Sequence, residues 1–195
     1  MEGVFSVFIT GVGGQGILSI ATVIGYAAVE SGMYLKQAEV HGMSQRGGNV
    51  QSNLRISDTE IYSDLVPDGA ADLILSVEPM ESLRYLPFLS EEGWLVSNSS
   101  PFVNIPNYPE LDRVHQEINK LPRHLLLPAD NIAVEAGNKR GMNMVMAGAA
   151  SVFIDLPFEK METGISFIFK RKGEEIVESN LKALRAGRDY ALENK

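Results

Sequence analysis

Two rhythms of apolar and polar positions alternate along this chain. Residues 4–10 are almost continuously apolar and end on a glycine cluster, which predicts a buried strand. Residues 15–30 repeat Ile, Leu, Ala and Val at helical spacing, and Ser31-Gly32 supplies a stop. Residues 33–40 read as a second strand. A polar, glycine-rich loop follows at residues 41–48. Val50, Ser52, Leu54 and Ile56 alternate with Gln51, Asn53 and Arg55, which predicts a half-buried strand. A tight turn at residues 57–60 then leads to Ile61-Tyr62 as the start of a short return strand, so a β-hairpin is expected here.

Beyond the turn at residues 67–69, the run 72–77 predicts a buried parallel strand. Pro79 opens a helix, with Met80, Leu83, Leu86 and Leu89 at helical spacing. Strands are expected at 93–97 and 125–127, separated by a Pro/Asn-rich excursion at 102–109. A short amphipathic helix follows that excursion, marked by Leu111, Val114, Ile118 and Leu121. Helices at 131–136, 143–154, 158–169 and 174–192 complete the chain. Strands alternating with helices specify a single α/β domain over residues 1–195. It is expected to be three-layered, with a mostly parallel sheet, helices on both faces, a β-hairpin insertion and a Rossmann-like glycine loop.

Composition narrows the chemistry. The 195 residues carry a net charge of −8, which disfavours non-specific nucleic-acid binding. No apolar run is long enough to cross a bilayer, and the N-terminus has no basic leader, so a cytoplasmic location is expected. The sequence contains no cysteine, so it offers no thiolate for an iron–sulfur cluster and no cysteine nucleophile. His41, His115 and His124 lack paired metal-ligand spacing, and no metal site is expected.

Three stretches could carry function. The first is Gly11-Val-Gly-Gly-Gln-Gly16, between strand and helix. Its N–H groups and the positive helix end suit an anion or a polarised carbonyl. Gly11, Gly13 and Gly16 satisfy G-x-G-x-x-G, and Glu39 is a loose match to the ribose-binding acid, so a dinucleotide site is one reading. Tight packing of helix on sheet is another. Gly14 and Gln15 fall outside the dinucleotide fingerprint. The second stretch is His41-Gly-Met-Ser-Gln-Arg-Gly-Gly48. Loops after the first two strands should share the carboxyl edge, so Gln45, Arg46, Gly47 and Gly48 could face Gln15. Arg46 offers a donor fork for phosphate or carboxylate, although a surface salt bridge is equally consistent. The third is Gly137-Asn-Lys-Arg-Gly-Met-Asn143. One of Asn138 and Asn143 is expected to cap a helix, and the other to reach the same crevice.

Together these motifs resemble those of the gamma-type subunits of the 2-oxoacid:ferredoxin oxidoreductases, over nearly the whole chain. Gln37-Ala-Glu-Val-His-Gly-Met-Ser-Gln-Arg-Gly-Gly-Asn49 is most similar to the small, beta-named subunits of the indolepyruvate enzymes. The resemblance implies a subunit that is inactive alone, with no catalytic residue of its own and no cofactor bound by itself. Thiamine diphosphate, magnesium and [4Fe–4S] clusters are then expected on a large partner subunit. The complex would convert a 2-oxoacid and coenzyme A into an acyl-CoA and CO2 and pass electrons to ferredoxin. Gly11, Gly13, Gly14, Gln15, Gly16, Gln45, Arg46, Gly47, Gly48, Asn138 and Asn143 become candidates for contacting coenzyme A or the partner. Residues 102–105 and the small-residue helix around Ala147-Gly-Ala-Ala150 are candidate partner surfaces. An independent NAD(P)- or FAD-binding oxidoreductase and a pure scaffold remain the alternatives.

Overall fold

A computed structural model describes residues 3–41, 48–103 and 105–195. A six-stranded sheet runs through it: β1 (Val4–Val12), β2 (Tyr34–His41), β3 (Asn49–Ser57), β4 (Ala71–Ser76), β5 (Leu89–Asn98) and β6 (His124–Leu127). The spatial order is β2-β3-β1-β4-β5-β6. β1, β4, β5 and β6 are parallel neighbours, and β3 runs antiparallel to both β1 and β2. The sheet is therefore mixed, with a parallel half and one reversed strand.

Helices cover both faces. α1 (Ile17–Glu30), α4 (Ala129–Glu135), α5 (Met142–Ala150), α6 (Phe158–Phe169) and α7 (Glu174–Asn194) share a core with Val7, Ile9, Leu73, Leu75 and Val96. The opposite face packs Phe8, Ile74 and Leu95 against Tyr85, Val114 and Ile118. Tyr85 follows α2 (Pro79–Arg84), and the last two lie on α3 (Leu111–Asn119). Successive strand residues thus feed opposite cores, as a period of two requires. α1 stops in a Schellman motif: Met33 N–H donates to the Ala28 carbonyl at 3.0 Å, and Gly32 takes φ 74°.

The hairpin forms, but from other strands than the pattern suggested. β2 and β3 pair along their whole length, from Tyr34 opposite Ser57 to His41 opposite Val50. Residues 61–62 form no strand. Both edges of β3 are already taken, by β1 and β2, so a return strand has no ladder to join. Side chains hold the connection down instead. Asn53 Oδ1 accepts from Val66 N–H at 3.0 Å, and Arg55 Nη1 donates to the Ser63 carbonyl at 3.1 Å.

Two helix limits also differ. α2 ends at Arg84, with Leu86 in a 3-10 turn and Leu89 already in β5. Pro87 follows directly and lacks the N–H a continuing helix needs. α5 ends at Ala150, followed by turns. Its expected role as a partner surface is overturned. Ala147, Ala149 and Ala150 are fully buried, and α5 crosses α7 with backbone almost touching backbone.

Candidate functional site

The chain leaves β1 for α1 towards one side of the sheet and leaves β4 for α2 towards the other. The gap between the carboxyl ends of β1 and β4 is therefore a topological switch point, where open α/β sheets bind ligands. The glycine loop lies there. Gly11 is buried, and a Cβ on it would overlap the Val77 side chain just past β4. Gly16 caps α1 at φ 82° and ψ 27°, a left-handed conformation open to glycine at little strain. A Cβ there would overlap Asn143.

Gln15 organises the loop from within. Its Oε1 accepts from Val12 N–H at 2.7 Å, and its Nε2 donates to the Val77 carbonyl at 3.3 Å. The same carbonyl accepts from Asn98 Nδ2 at 3.3 Å, so one oxygen joins the ends of β1, β4 and β5. Asn98 is buried. It also donates to Asp130 Oδ2 at 2.9 Å and accepts from Ala129 N–H at 3.2 Å. The Gln15 side-chain amide thus braces the loop; what remains open is backbone. Gly14 is exposed, with φ 100°, and among the described residues no atom would crowd a Cβ on it. α1 begins without a side-chain cap and without an acidic residue in its first turn. Ser19 N–H is taken by the Gly16 carbonyl at 3.0 Å, and among the described residues no side chain caps the N–H groups before it, which lie at the positive end of the helix.

The first glycine loop touches the last residue of the second motif: Gly13 N–H donates to the Gly48 carbonyl at 2.9 Å. Gln45, Arg46 and Gly47 lie outside the described residues. Asn143 also arrives. Its Nδ2 donates to the Gly16 carbonyl at 3.4 Å, and its Oδ1 accepts from Met144 N–H at 3.0 Å. Asn138 does not arrive: it holds a turn by accepting from Arg140 N–H at 3.2 Å and donates to Asn180 Oδ1 on α7 at 3.3 Å. Neither asparagine is the N-cap of α5; Gly141 is. A side chain at Gly141 would press on Asn138 and Ala183, so the close fit to α7 keeps that position bare.

Glu39 is moved away from the loop. β3 lies between β1 and β2, so Glu39 is two strands across, about 10 Å by strand spacing. It is also level with Ile9 through Ser52, behind the glycines. The ribose contact of a dinucleotide site is not assembled.

Glu78, Asn98, Tyr108 and Asp130 escaped the motif search. Glu78 and Asn98 each directly follow a predicted strand, the position from which side chains line the carboxyl edge of an open α/β sheet. Glu78 is 1% exposed, and its carboxylate accepts from Glu81 N–H at 2.8 Å and Tyr108 hydroxyl at 2.5 Å. Burial, and then the bond to Glu78, push the Tyr108 phenol above its ordinary range. Burial likewise raises the Glu81 carboxyl, opposed by Arg84 at 3.0 Å. Among the described residues no group of His, Asp or Glu side chains could hold a metal, and no helix is long and apolar enough to cross a membrane.

Comparison with known proteins agrees with this geometry. The family model described as pyruvate ferredoxin/flavodoxin oxidoreductase matches residues 6–190. An indolepyruvate oxidoreductase subunit IorB from Methanothermobacter thermautotrophicus is 36% identical over 197 residues, covering 97% of this chain and 99% of the relative. A ketoisovalerate oxidoreductase subunit VorA from Methanothermobacter marburgensis is 30% identical over 188 residues, 95% of this chain but 36% of that longer one. The crystal structure of a keto/oxoacid ferredoxin oxidoreductase gamma subunit from Geobacter sulfurreducens superposes with a TM-score of 0.72 at 26% identity, covering 97% of this chain and 99% of that one. A 2-oxoglutarate:ferredoxin oxidoreductase from Magnetococcus marinus, with 2-oxoglutarate, coenzyme A and succinyl-CoA bound, shares the fold. Its TM-score is 0.80 at 20% identity, over all of this chain and 32% of that one.

Proposed function

The chain belongs to the pyruvate ferredoxin/flavodoxin oxidoreductase family, and on that premise we propose that it is the small subunit of an indolepyruvate-type 2-oxoacid:ferredoxin oxidoreductase. The enzyme joins a decarboxylated 2-oxoacid to coenzyme A, releases CO2 and delivers two electrons to ferredoxin. Thiamine diphosphate, magnesium and [4Fe–4S] clusters, which supply the decarboxylation and the electron path, belong to the large subunit. This chain has no cysteine to ligate a cluster. Its own part is binding and placement. The uncapped start of α1, with exposed Gly14 at the switch point, carries the reading. That edge suits a phosphate of coenzyme A or an anionic or carbonyl group on the partner's face. Arg46, on the loop whose Gly48 meets Gly13, would add a charged fork.

The test uses the two-subunit complex. Arg46→Ala should raise KM for coenzyme A or lower acyl-CoA formation while the complex still assembles. Loss of one charge-assisted hydrogen bond corresponds to roughly 1.5–3 kcal/mol. Kinetics identical to the wild-type complex would reduce the glycine loops to scaffold.

A further inference from the structure

The segment after β5 leaves the carboxyl edge and carries three large apolar side chains into solvent. Phe102 is 42% exposed, Val103 68% and Ile105 40%. Residues 99–109 contain no charged side chain, in a chain of net charge −8. The base of this segment is tied down. Ser100 N–H donates to Asn98 Oδ1 at 3.3 Å, and His115 Nε2 bonds to the Ser99 carbonyl at 2.9 Å. Glu78 Oε1 accepts from both Phe102 N–H at 3.3 Å and the Tyr108 hydroxyl at 2.5 Å, while Oε2 caps α2 through Glu81 N–H.

The buried carboxylate that caps α2 thus also fixes the backbone of a tip whose apolar side chains reach solvent. Ordering exposed apolar side chains in water is unfavourable in itself. The arrangement becomes favourable once the tip is covered, because a preorganised element loses little entropy on binding. A charge-free, apolar patch is also what the centre of a protein interface requires.

We infer that Phe102, Val103 and Ile105, held in place by Glu78 and Tyr108, form the element on which the large subunit seats beside the glycine loop. The inference rests on the functional reading above. Two observations favour that occupant over others. The tip and the glycine loop share one root: Gln15 and Asn98 meet at the Val77 carbonyl, and Glu78 is the next residue. A chain that covers the start of α1 therefore lies beside the tip. In VorA the sequence matching this chain is 36% of one longer chain, whereas the IorB relative is matched over 99% of its length, so on the functional reading the part tethered to this unit in VorA corresponds to the separate large subunit.

The experiment measures the dissociation constant between this chain and a tagged large subunit, with melting of the isolated chain as the control for folding. Val103→Asp should weaken association about tenfold or more without lowering the melting temperature. Tyr108→Phe should weaken it severalfold, at temperatures where the isolated chain is fully folded. Phe167→Ser on α6, at a side chain 70% exposed, should leave affinity unchanged. Wild-type affinity in Val103→Asp, or an equal loss in Phe167→Ser, overturns the assignment. A Tyr108→Phe chain that melts earlier but binds normally removes the latch. A changed oligomeric state of the isolated Val103→Asp chain points to self-association instead and also overturns it. If the unaltered chain fails to bind the large subunit, the functional reading itself fails. If it binds and the tip variants bind equally well, only the docking assignment falls.

Discussion

One backbone oxygen, that of Val77, is shared by the amides of Gln15 and Asn98, and much of the site's rigidity comes from that sharing. Gln15→Ala would strand the Val12 N–H at the buried end of β1. The expected loss is about 1–3 kcal/mol, read as a lower denaturation midpoint. Gln15→Glu should not rescue it. That isostere keeps an acceptor for Val12 but turns an oxygen towards the Val77 carbonyl. Equal stability of all three chains would show that the bridge contributes nothing. Glu81 sets a second residue-scale expectation. Its folded pKa lies above the ordinary carboxylate value, so the folded chain holds a proton the unfolded chain has released. Stability therefore falls as pH rises from about 4.5 through the folded pKa. Glu81→Gln should flatten that part of a pH–stability curve, and an unchanged slope would assign it to another group.

Between elements, α5 and α7 cross with their backbones in close contact at Gly148 and Gly187. A Cβ at Gly148 would overlap the Leu184 carbonyl, and one at Gly187 would overlap the Val145 carbonyl. Either alanine must push the helices apart and should cost about 1–3 kcal/mol or more. Because both act on one crossing, the double variant should lose less than the sum of the two. Strict additivity in urea denaturation would contradict a shared contact. The small-residue pattern of α5 was plain in the sequence, and so was its capacity for close approach. Which neighbour it approached was not, since an interface inside the chain and one to another chain ask for the same small residues. Gly187, far along a charged helix, supplies the matching notch, and only the fold brings the two together. β3 repeats the lesson: its alternation was legible, whereas its place between β1 and β2 depended on which strand edges were free.

For the molecule as a whole, the expected division of labour is open to a direct measurement. Purified alone, the chain should show neither flavin nor iron–sulfur absorption and should reduce no acceptor. Mixed with the large subunit, it should support 2-oxoacid- and coenzyme A-dependent reduction of ferredoxin. A dinucleotide that copurifies with the isolated chain would return the glycine loop to the dinucleotide reading, against the displacement of Glu39.

By itself the sequence determined the alternation of strands and helices and the glycine turn at Gly11 to Gly16. Those features are local: side-chain periodicity and the backbone freedom of glycine are properties of short stretches. Only the tertiary structure decided that Gln15 is occupied by the backbone of Val12 and of distant Val77, that Asn143 rather than Asn138 reaches Gly16, and that Glu39 stands two strands away. Each of those outcomes turns on which strand edge or polar group was left unpaired after distant segments had packed, and no short stretch carries that information.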